Sequence, residues 1–381
     1  MKQTAVSIEN NLAKRRQARG ISAAHLAHVT GVTRQTIYAI EAGSYVPNTT
    51  VALKLARALD VTVEELFALS EDLPQPELRT LQAQLLPGAD ALQPGQPLQL
   101  CRVDKHMMAS PPSPLPWYLP ASDAVLAAKP ARASRKSAKA TVQVFQPDAE
   151  FRNRILIAGC DPGISVLARH VQAAGIELVL AHRNSSRALA LLLDGAVHVA
   201  GTHLRDESSG ESNLPEVGRR FPKNSVAVVS FAVWEEGIVT ARGNPKQIHS
   251  AADFARAEVA IVNREKGAGS RLLLDTQLKR LRIPAAAVRG YDTAAEGHLA
   301  AAWQVYSGSV DACIATRAAA RRFGLGFLPL SSERYDLVIR RPHLELPAIE
   351  TLLDVLGRVG FRRELEGLGG YETKVAGQRM M

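Results

Sequence analysis

Over its first seventy positions the chain sets apolar residues three and four apart, with breaks at glycine or at a hydroxyl residue. That spacing predicts a string of short helices. Ile8 to Arg19 forms the first and ends at Gly20. Ser22 is placed to cap AAHLAHV, Thr30-Gly31-Val32 makes a tight turn, and Thr33 caps RQTIYAIEA, which stops at Gly43. Pro47 to Thr50 opens a fourth helix, VALKLARALD, and Val63 to Leu69 makes a fifth. The pattern changes between residues 71 and 152, where prolines recur. PELRTLQAQLL has the spacing of a helix, whereas LQLCRVD and ATVQVF look like strands. The stretch reads as a proline-rich, then basic connector, and residues 95 to 150 stay open between a small β domain and a bare tether. From residue 153 to 381 short apolar runs alternate with amphipathic helices, as in RILIAGCDP before GISVLARHVQAAG and ELVLAHRNSS before RALALLLDG. Unbroken apolar strands between helices argue for an open α/β sheet.

Composition narrows the class. The chain has 381 residues, a hydrophobic share of 46%, a formal net charge of +9 and a pI near 9.6. That length suits two or three domains, and the basic balance suits a polyanionic partner. No apolar run approaches the roughly 18 residues that span a bilayer, so no membrane partner is expected. The N-terminus lacks the apolar stretch of a secretory signal. Cys101, Cys160 and Cys313 are widely spaced and form no CxxC, which reads as reduced thiols in a cytoplasmic protein.

SAAHLAHVTGVTRQTIYAIEAG has helix-turn-helix spacing. Leu26, Val29, Val32, Ile37 and Ile40 are candidates for the core, and Ala27 is small where two helices must approach. The second helix then offers Thr33, Arg34, Gln35, Thr36 and Tyr38 to DNA. Arginine can read guanine and glutamine adenine through bidentate bonds in the major groove. Lys14, Arg15, Arg16, Ser44 and Tyr45 are candidates for phosphate contacts. Asn10 to Leu69 resembles the Cro/C1-type (Xre) DNA-binding domain, and the tail EAGSYVPNTTVALKLARALDVTVEELF is as close as the helix pair itself. The departure is Ala23, where that family often carries a phosphate-bracing glutamine.

Polar residues also gather where strands of the α/β region end: Asp161 and Ser165; Arg183, Ser185, Ser186 and Arg187; Thr202, His203, Arg205 and Asp206; Arg264, Lys266, Gly269, Ser270 and Arg271. Ligands of open α/β sheets bind outside the carboxyl ends of strands, and helix N-termini favour anions. VNREKGAGSRLLLD is the clearest seat of this kind, although it lacks the GxxxxGK[ST] order of a nucleotide-binding P-loop. Tyr291 and Tyr335 are candidate pocket walls. His198 and His203 have no third ligand at a telling spacing, so no metal and no cofactor are expected. His298, on a helix face with Leu299, Ala302 and Val305, reads as a structural histidine. No GxSxG elbow, HExxH, Cys-His pairing or carboxylate pair stands out, which argues against an enzyme.

Residues 153 to 372 resemble the type 2 periplasmic-binding-protein-like domain, closest to its molybdate-binding-protein-like branch, through AGCDPGISVLARH, AVHVAGTHLRD, VSFAVWEEGIVTARGNPKQI, VNREKGAGSRLLLD and GYDTAAEGHLAAAWQVYSGSVDACIA. The resemblance implies two lobes that hold an oxyanion through hydroxyls and amides, here Ser165, Ser185 or Ser186, Thr202, and Gly269 with Ser270. Arg183, Arg264, Arg271 and Arg317 depart from that pattern and leave room for a larger anionic metabolite. The expected protein is multidomain: an all-α helix-turn-helix head at 1–70, a connector at 71–152, and an α/β two-lobed periplasmic-binding-protein-like domain at 153–381. Its expected role is that of a cytoplasmic, homodimeric transcriptional regulator whose partners are double-stranded operator DNA and a small anion. The alternatives are an enzyme acting on that anion and a constitutive repressor with a non-binding C-terminal domain.

Overall fold

A computed structural model describes residues 7–70, 80–86, 92, 94–112, 121–128, 138–146, 151, 153–206 and 209–381. The chain divides into two compact units, Met1–Glu77 and Leu78–Met381.

The first unit runs β1 (Ser7–Asn10), α1 (Leu12–Ala18), α2 (Ala23–Thr30), α3 (Arg34–Glu41), α4 (Thr49–Leu59), α5 (Val63–Leu66) and β2 (Phe67–Ser70). The caps are those the hydroxyl and amide residues predict. Ser22 accepts from the His25 N–H, Thr33 from Thr36, and Asn48 from Val51. Leu12, Leu26, Ile37, Ile40, Leu55, Leu59 and Leu66 fill the core, and Ala27 is buried as expected. Val29 is not part of it and stands 55% exposed. The first predicted helix starts late. The Asn10 side chain accepts from the Leu12 N–H at 2.9 Å, a turn that competes with helix, and residues 7–10 pair antiparallel with 67–70 instead. The same pairing ends the fifth helix at Leu66.

The second unit opens with a closed five-stranded barrel, in the order β3-β5-β4-β6-β7. Its strands are β3 (Thr80–Leu85), β4 (Pro97–Val103), β5 (His106–Ser110), β6 (Ala124–Leu126) and β7 (Ala138–Val144). PELRTLQAQLL is therefore a strand and not a helix over its described part: Ala83 and Leu85 point inward at the two-residue period of a sheet. Residues 131–137 of the basic run lie outside the described residues. The barrel is docked and is no bare tether. Leu86, Cys101, Val103 and Met108 share a core with Leu156 and Ala158 of the α/β region, and Arg154 bonds both Asp123 (2.7 Å) and the Leu100 carbonyl (2.9 Å).

The α/β region carries β8 (Arg154–Gly159), α6 (Ile164–Gln172), β9 (Glu177–His182), α7 (Ser185–Leu193), β10 (Val199–Thr202), α8 (Leu214–Arg220) and β11 (Val226–Thr240). It continues with β12 (Ile261–Arg264), α9 (Gly269–Leu281), β13 (Ala294–Ala295), α10 (His298–Tyr306), β14 (Ala312–Thr316), α11 (Arg317–Arg322), β15 (Gly326–Arg340), α12 (Pro347–Gly357), α13 (Val359–Gly367) and β16 (Tyr371–Glu372). The strands form one sheet in the order β13-β12-β14-β11-β15-β10-β8-β9, with β16 beside β11. β8, β9 and β10 are parallel, as are β12, β13 and β14. The two 15-residue strands β11 and β15 run antiparallel through the middle and join the two sets. Separate apolar cores lie on either side, one around Ile157, Leu167 and Leu352, the other around Ile261, Leu274 and Ile314. This is a two-lobed α/β domain, and the strand ends of the lobes face each other.

Candidate functional site

On the first unit, the buried isoleucines decide which way α3 presents its polar residues. With Ile37 and Ile40 fully buried, Arg34, Gln35 and Tyr38 fall on the exposed face. The Arg34 guanidinium donates to the Tyr38 hydroxyl at 2.9 Å and lies over its ring. Thr36 is half-buried, and its hydroxyl shares a 2.8 Å bond with Thr33. Among the expected phosphate contacts, Arg15 is exposed and meets Glu65 at 3.1 Å. Ser44 is exposed and donates to the Ala39 carbonyl at 3.0 Å. Arg16 has another job. It pairs with Glu41 at 2.5 Å and donates to the Ile21 carbonyl at 3.0 Å, so it ties α1 to α3. The bond to Glu41 raises its pKa further.

In the second unit the strand ends converge on a cavity of about 250 Å³, lined by Cys160, His182, Arg183, Asn184, Arg187, Arg264, Glu265, Glu296 and Gly297. Arg264 is 1% exposed at the end of β12. Its Nε donates to Glu265 (3.0 Å) and to the Ala295 carbonyl (3.1 Å), while its Nη1 is buried without a partner. Burial opposes its charge, but Cys160 and Glu265 outweigh that and raise its pKa. Burial lowers the pKa of Arg183, and it brings His182 down to about 4, with Arg264 adding to the effect. Gly297, at φ 95°, leaves room for His182: a Cβ there would lie 2.1 Å from its Nε2.

Behind the cavity is a buried polar cluster that joins the lobes. His203, after β10, has Nδ1 3.0 Å from Glu333 Oε2 and Nε2 3.6 Å from Cys160 Sγ. His298, first residue of α10, has Nε2 3.9 Å from the same sulfur. Its Nδ1 and Glu236 Oε2 are buried and unpartnered. Ser270 donates its hydroxyl to Glu236 Oε1. Burial, reinforced by the Glu333 charge, brings Glu236 up to about 8, and burial brings Glu333 to about 7. Burial drives His298 well down; at His203 it is outweighed by Cys160 and Glu236, and the pKa rises. The lobes touch directly here. A Cβ on Gly269 would lie 2.5 Å from the His203 ring and carbonyl, and the Ser186 N–H donates to the Gly267 carbonyl at 3.3 Å.

Of the strand-end residues singled out in the sequence, the cavity gathers Arg183, Arg187 and Arg264. The buried cluster takes His203, Gly269 and Ser270. The remainder are placed elsewhere. Ser165 is exposed and donates to the Pro162 carbonyl (2.8 Å). Ser185 accepts from the His203 N–H (3.1 Å), and Asn184, not Ser185, caps α7. Thr202 donates to Asn213 (3.4 Å), and Ser186 lines a second cavity with Arg205 and Asp206. Asp161 accepts from the Gly163 N–H (2.7 Å) and the Tyr371 hydroxyl (2.6 Å), and burial brings it to about 7. Arg271 donates to the Arg264 carbonyl and lies over Tyr291, whose hydroxyl is bonded to Asp275. Tyr335 is a fully buried core residue against Gly201. Arg317 pairs with Glu235 at the surface (2.5 Å) and lies over Phe327.

Sequence reasoning missed Cys160, His182, Glu236, Glu296, His298 and Glu333 as site residues. Glu236 carried a signal, as an acid inside a 15-residue strand that is otherwise largely apolar, whereas Glu333 sits in the polar run Ser331 to Asp336 and carried none. The register pairs Trp234 with Glu333, which sets Glu236 and Glu333 diagonally on neighbouring strands. His203 meets His298 and Cys160, not His198, whose Nδ1 accepts from the Leu156 N–H at 3.0 Å.

These features define a helix-turn-helix unit followed by a two-lobed α/β domain with its polar residues between the lobes. A helix-turn-helix family matches residues 12–66, and the PBP superfamily domain matches residues 168–357. The uncharacterized protein YvgK of Bacillus subtilis is 34% identical over 244 residues, 64% of this chain and 78% of YvgK. The chain belongs to the same family as YvgK and joins a helix-turn-helix domain to a PBP superfamily domain. The uncharacterized HTH-type transcriptional regulator YgzD of the same organism is 40% identical over 65 residues, 17% of this chain and 98% of YgzD. Among solved structures, a putative phosphate ABC transporter substrate-binding protein with bound phosphate from Clostridium perfringens aligns at a TM-score of 0.44 and 11% identity, covering 57% of this chain and 98% of that one. No described helix is long and apolar enough to cross a membrane.

Proposed function

We propose that this protein is a cytoplasmic one-component transcriptional regulator, homodimeric on its operator, that senses a small anion between the lobes of its C-terminal domain. The observation that carries the reading is Arg264 Nη1, a buried cationic donor with no partner beside a cavity that Arg183 also lines. A buried charged donor left unpaired is costly, and an anionic oxygen meets that need. The exposed Arg34, Gln35 and Tyr38 on α3 are the complementary support for DNA reading. The cavity at about 250 Å³ accommodates an oxyanion such as molybdate or tungstate, and also a small carboxylate or phosphate metabolite.

Thermal unfolding of the full chain with molybdate, tungstate, sulfate, phosphate and a panel of anionic metabolites tests this. A true ligand at 100 times its Kd stabilises the folded state by about 2.7 kcal/mol. The shift should vanish in Arg264→Gln. No shift with any anion, or an equal shift in that variant, would remove the sensing role. On DNA, Gln35→Ala should lower affinity for a selected sequence by about 1–3 kcal/mol and leave random DNA unchanged.

A further inference from the structure

We propose that Cys160, His203 and His298 form a zinc-type metal site between the lobes, with Glu333 and Glu236 behind the two imidazoles. The proposal deepens the reading of the interlobe region as a binding site. It starts from three side chains that sequence places far apart and the fold brings together: Cys160 follows β8, His203 follows β10, and His298 opens α10 on the other lobe. All are buried, and one ligand atom from each lies within 4.8 Å of the others.

The sulfur–nitrogen distances are close to those of a metal's coordination shell. A tetrahedral ion with metal–sulfur and metal–nitrogen bonds of about 2.3 and 2.0–2.1 Å sets sulfur and nitrogen about 3.6 Å apart. Cys160 Sγ lies 3.6 Å from His203 Nε2 and 3.9 Å from His298 Nε2. Two imidazole nitrogens thus converge on one sulfur. A thiol has a single proton and can donate it to one of them. A metal ion satisfies the thiolate and both nitrogens together.

The surroundings support the same assignment. Metal-ligating histidines usually give their other ring nitrogen to a carboxylate, which fixes tautomer and orientation. His203 Nδ1 does so with Glu333 Oε2 at 3.0 Å. His298 Nδ1 has Glu236 Oε1 3.7 Å away, and both this nitrogen and Glu236 Oε2 are buried without a hydrogen-bond partner. Arg264, the nearby cation, is paired with Glu265 at 3.0 Å. The donor set of one thiolate and two imidazoles suits zinc over magnesium or calcium, which take oxygen. Three protein ligands leave a fourth position, which falls to water or to an anion from the cavity that Cys160 also lines.

The test uses the untagged full chain, stripped with a chelator and reloaded with zinc or cobalt(II) alone, with no anion added. One metal per chain is expected by elemental analysis. X-ray absorption of the zinc form should show one sulfur and two imidazole nitrogens around the metal. The cobalt form should show thiolate-to-metal charge transfer that Cys160→Ser removes. Glu333→Gln should weaken zinc binding about 10–100-fold while keeping the ligand set. A reloaded wild-type chain without stoichiometric metal, or with a shell of only oxygen and nitrogen, overturns the proposal. The wild-type spectrum decides this even if Cys160→Ser does not fold. Failure here is separable from failure of the sensing role, because an anion that stabilises the stripped chain leaves that role standing.

Discussion

Two helices in this chain begin with similar polar residues and use them in opposite ways. α3 starts at Thr33-Arg34-Gln35-Thr36 and α9 at Gly269-Ser270-Arg271. At α3, Thr33 closes the cap on its own helix, accepting from the Thr36 N–H at 3.1 Å, and Arg34 and Gln35 remain exposed. At α9, the cap residue Ala268 offers no side-chain bond, Ser270 is fully buried and Gly269 faces the His203 ring. The Ser270 hydroxyl goes to the carboxylate of Glu236, on β11. A helix start in sequence says that polar groups are available. What surrounds the first turn decides whether they meet a partner from solution or one from the same chain.

The largest effect expected on the buried side is with pH. Burial lowers His198 from 6.5 to about 4 in the folded chain. Between those values the unfolded chain binds a proton that the folded chain refuses. The associated stability is full above pH 6.5 and is lost as pH falls towards 4, by roughly 3 kcal/mol. Equilibrium denaturation across this window should slope more steeply for the wild type than for His198→Gln; parallel profiles would contradict the cost assigned to burying that ring. Next comes Ser270→Ala, which strips a donor from the buried Glu236 and should cost about 1–3 kcal/mol in the C-terminal unit. The matched change at the other helix, Thr33→Ala, should cost about 1 kcal/mol of N-terminal stability, the usual worth of a cap. If the two substitutions had equal and small effects by denaturation, the contrast between a self-contained cap and a helix-to-strand bond would collapse.

Much of the architecture was legible. Capping residues placed the starts of α2 and α3, because Ser22 and Thr33 act on amides only three residues away. Unbroken apolar runs marked β8, β9 and β12. The failures came where distant chain decides. Ile8 to Asn10 reads as helix until its strand partner, in Phe67–Ser70, is in place. Thr80–Leu85 lies in a stretch that reads as helix, and pairing with β7 in the barrel makes it a strand. The site shows the same division. Arg183 and Arg264 were visible as strand-end cations. Ser165 and Arg317 looked equivalent, yet one donates to Pro162 and the other pairs with Glu235. The Cys160–His203–His298 cluster was hidden because its members lie 43 and 138 residues from the sulfur along the chain.

The most direct test of the central claim is a measurement of DNA affinity by the full chain, on a sequence it selects from a random pool, with and without the anion that shifts its unfolding. Two sites coupled through one chain should change affinity by about 5–150-fold, corresponding to 1–3 kcal/mol. The account predicts such a change in the wild type and none in Arg264→Gln. An unchanged Kd in the wild type, with the anion demonstrably bound, would contradict it.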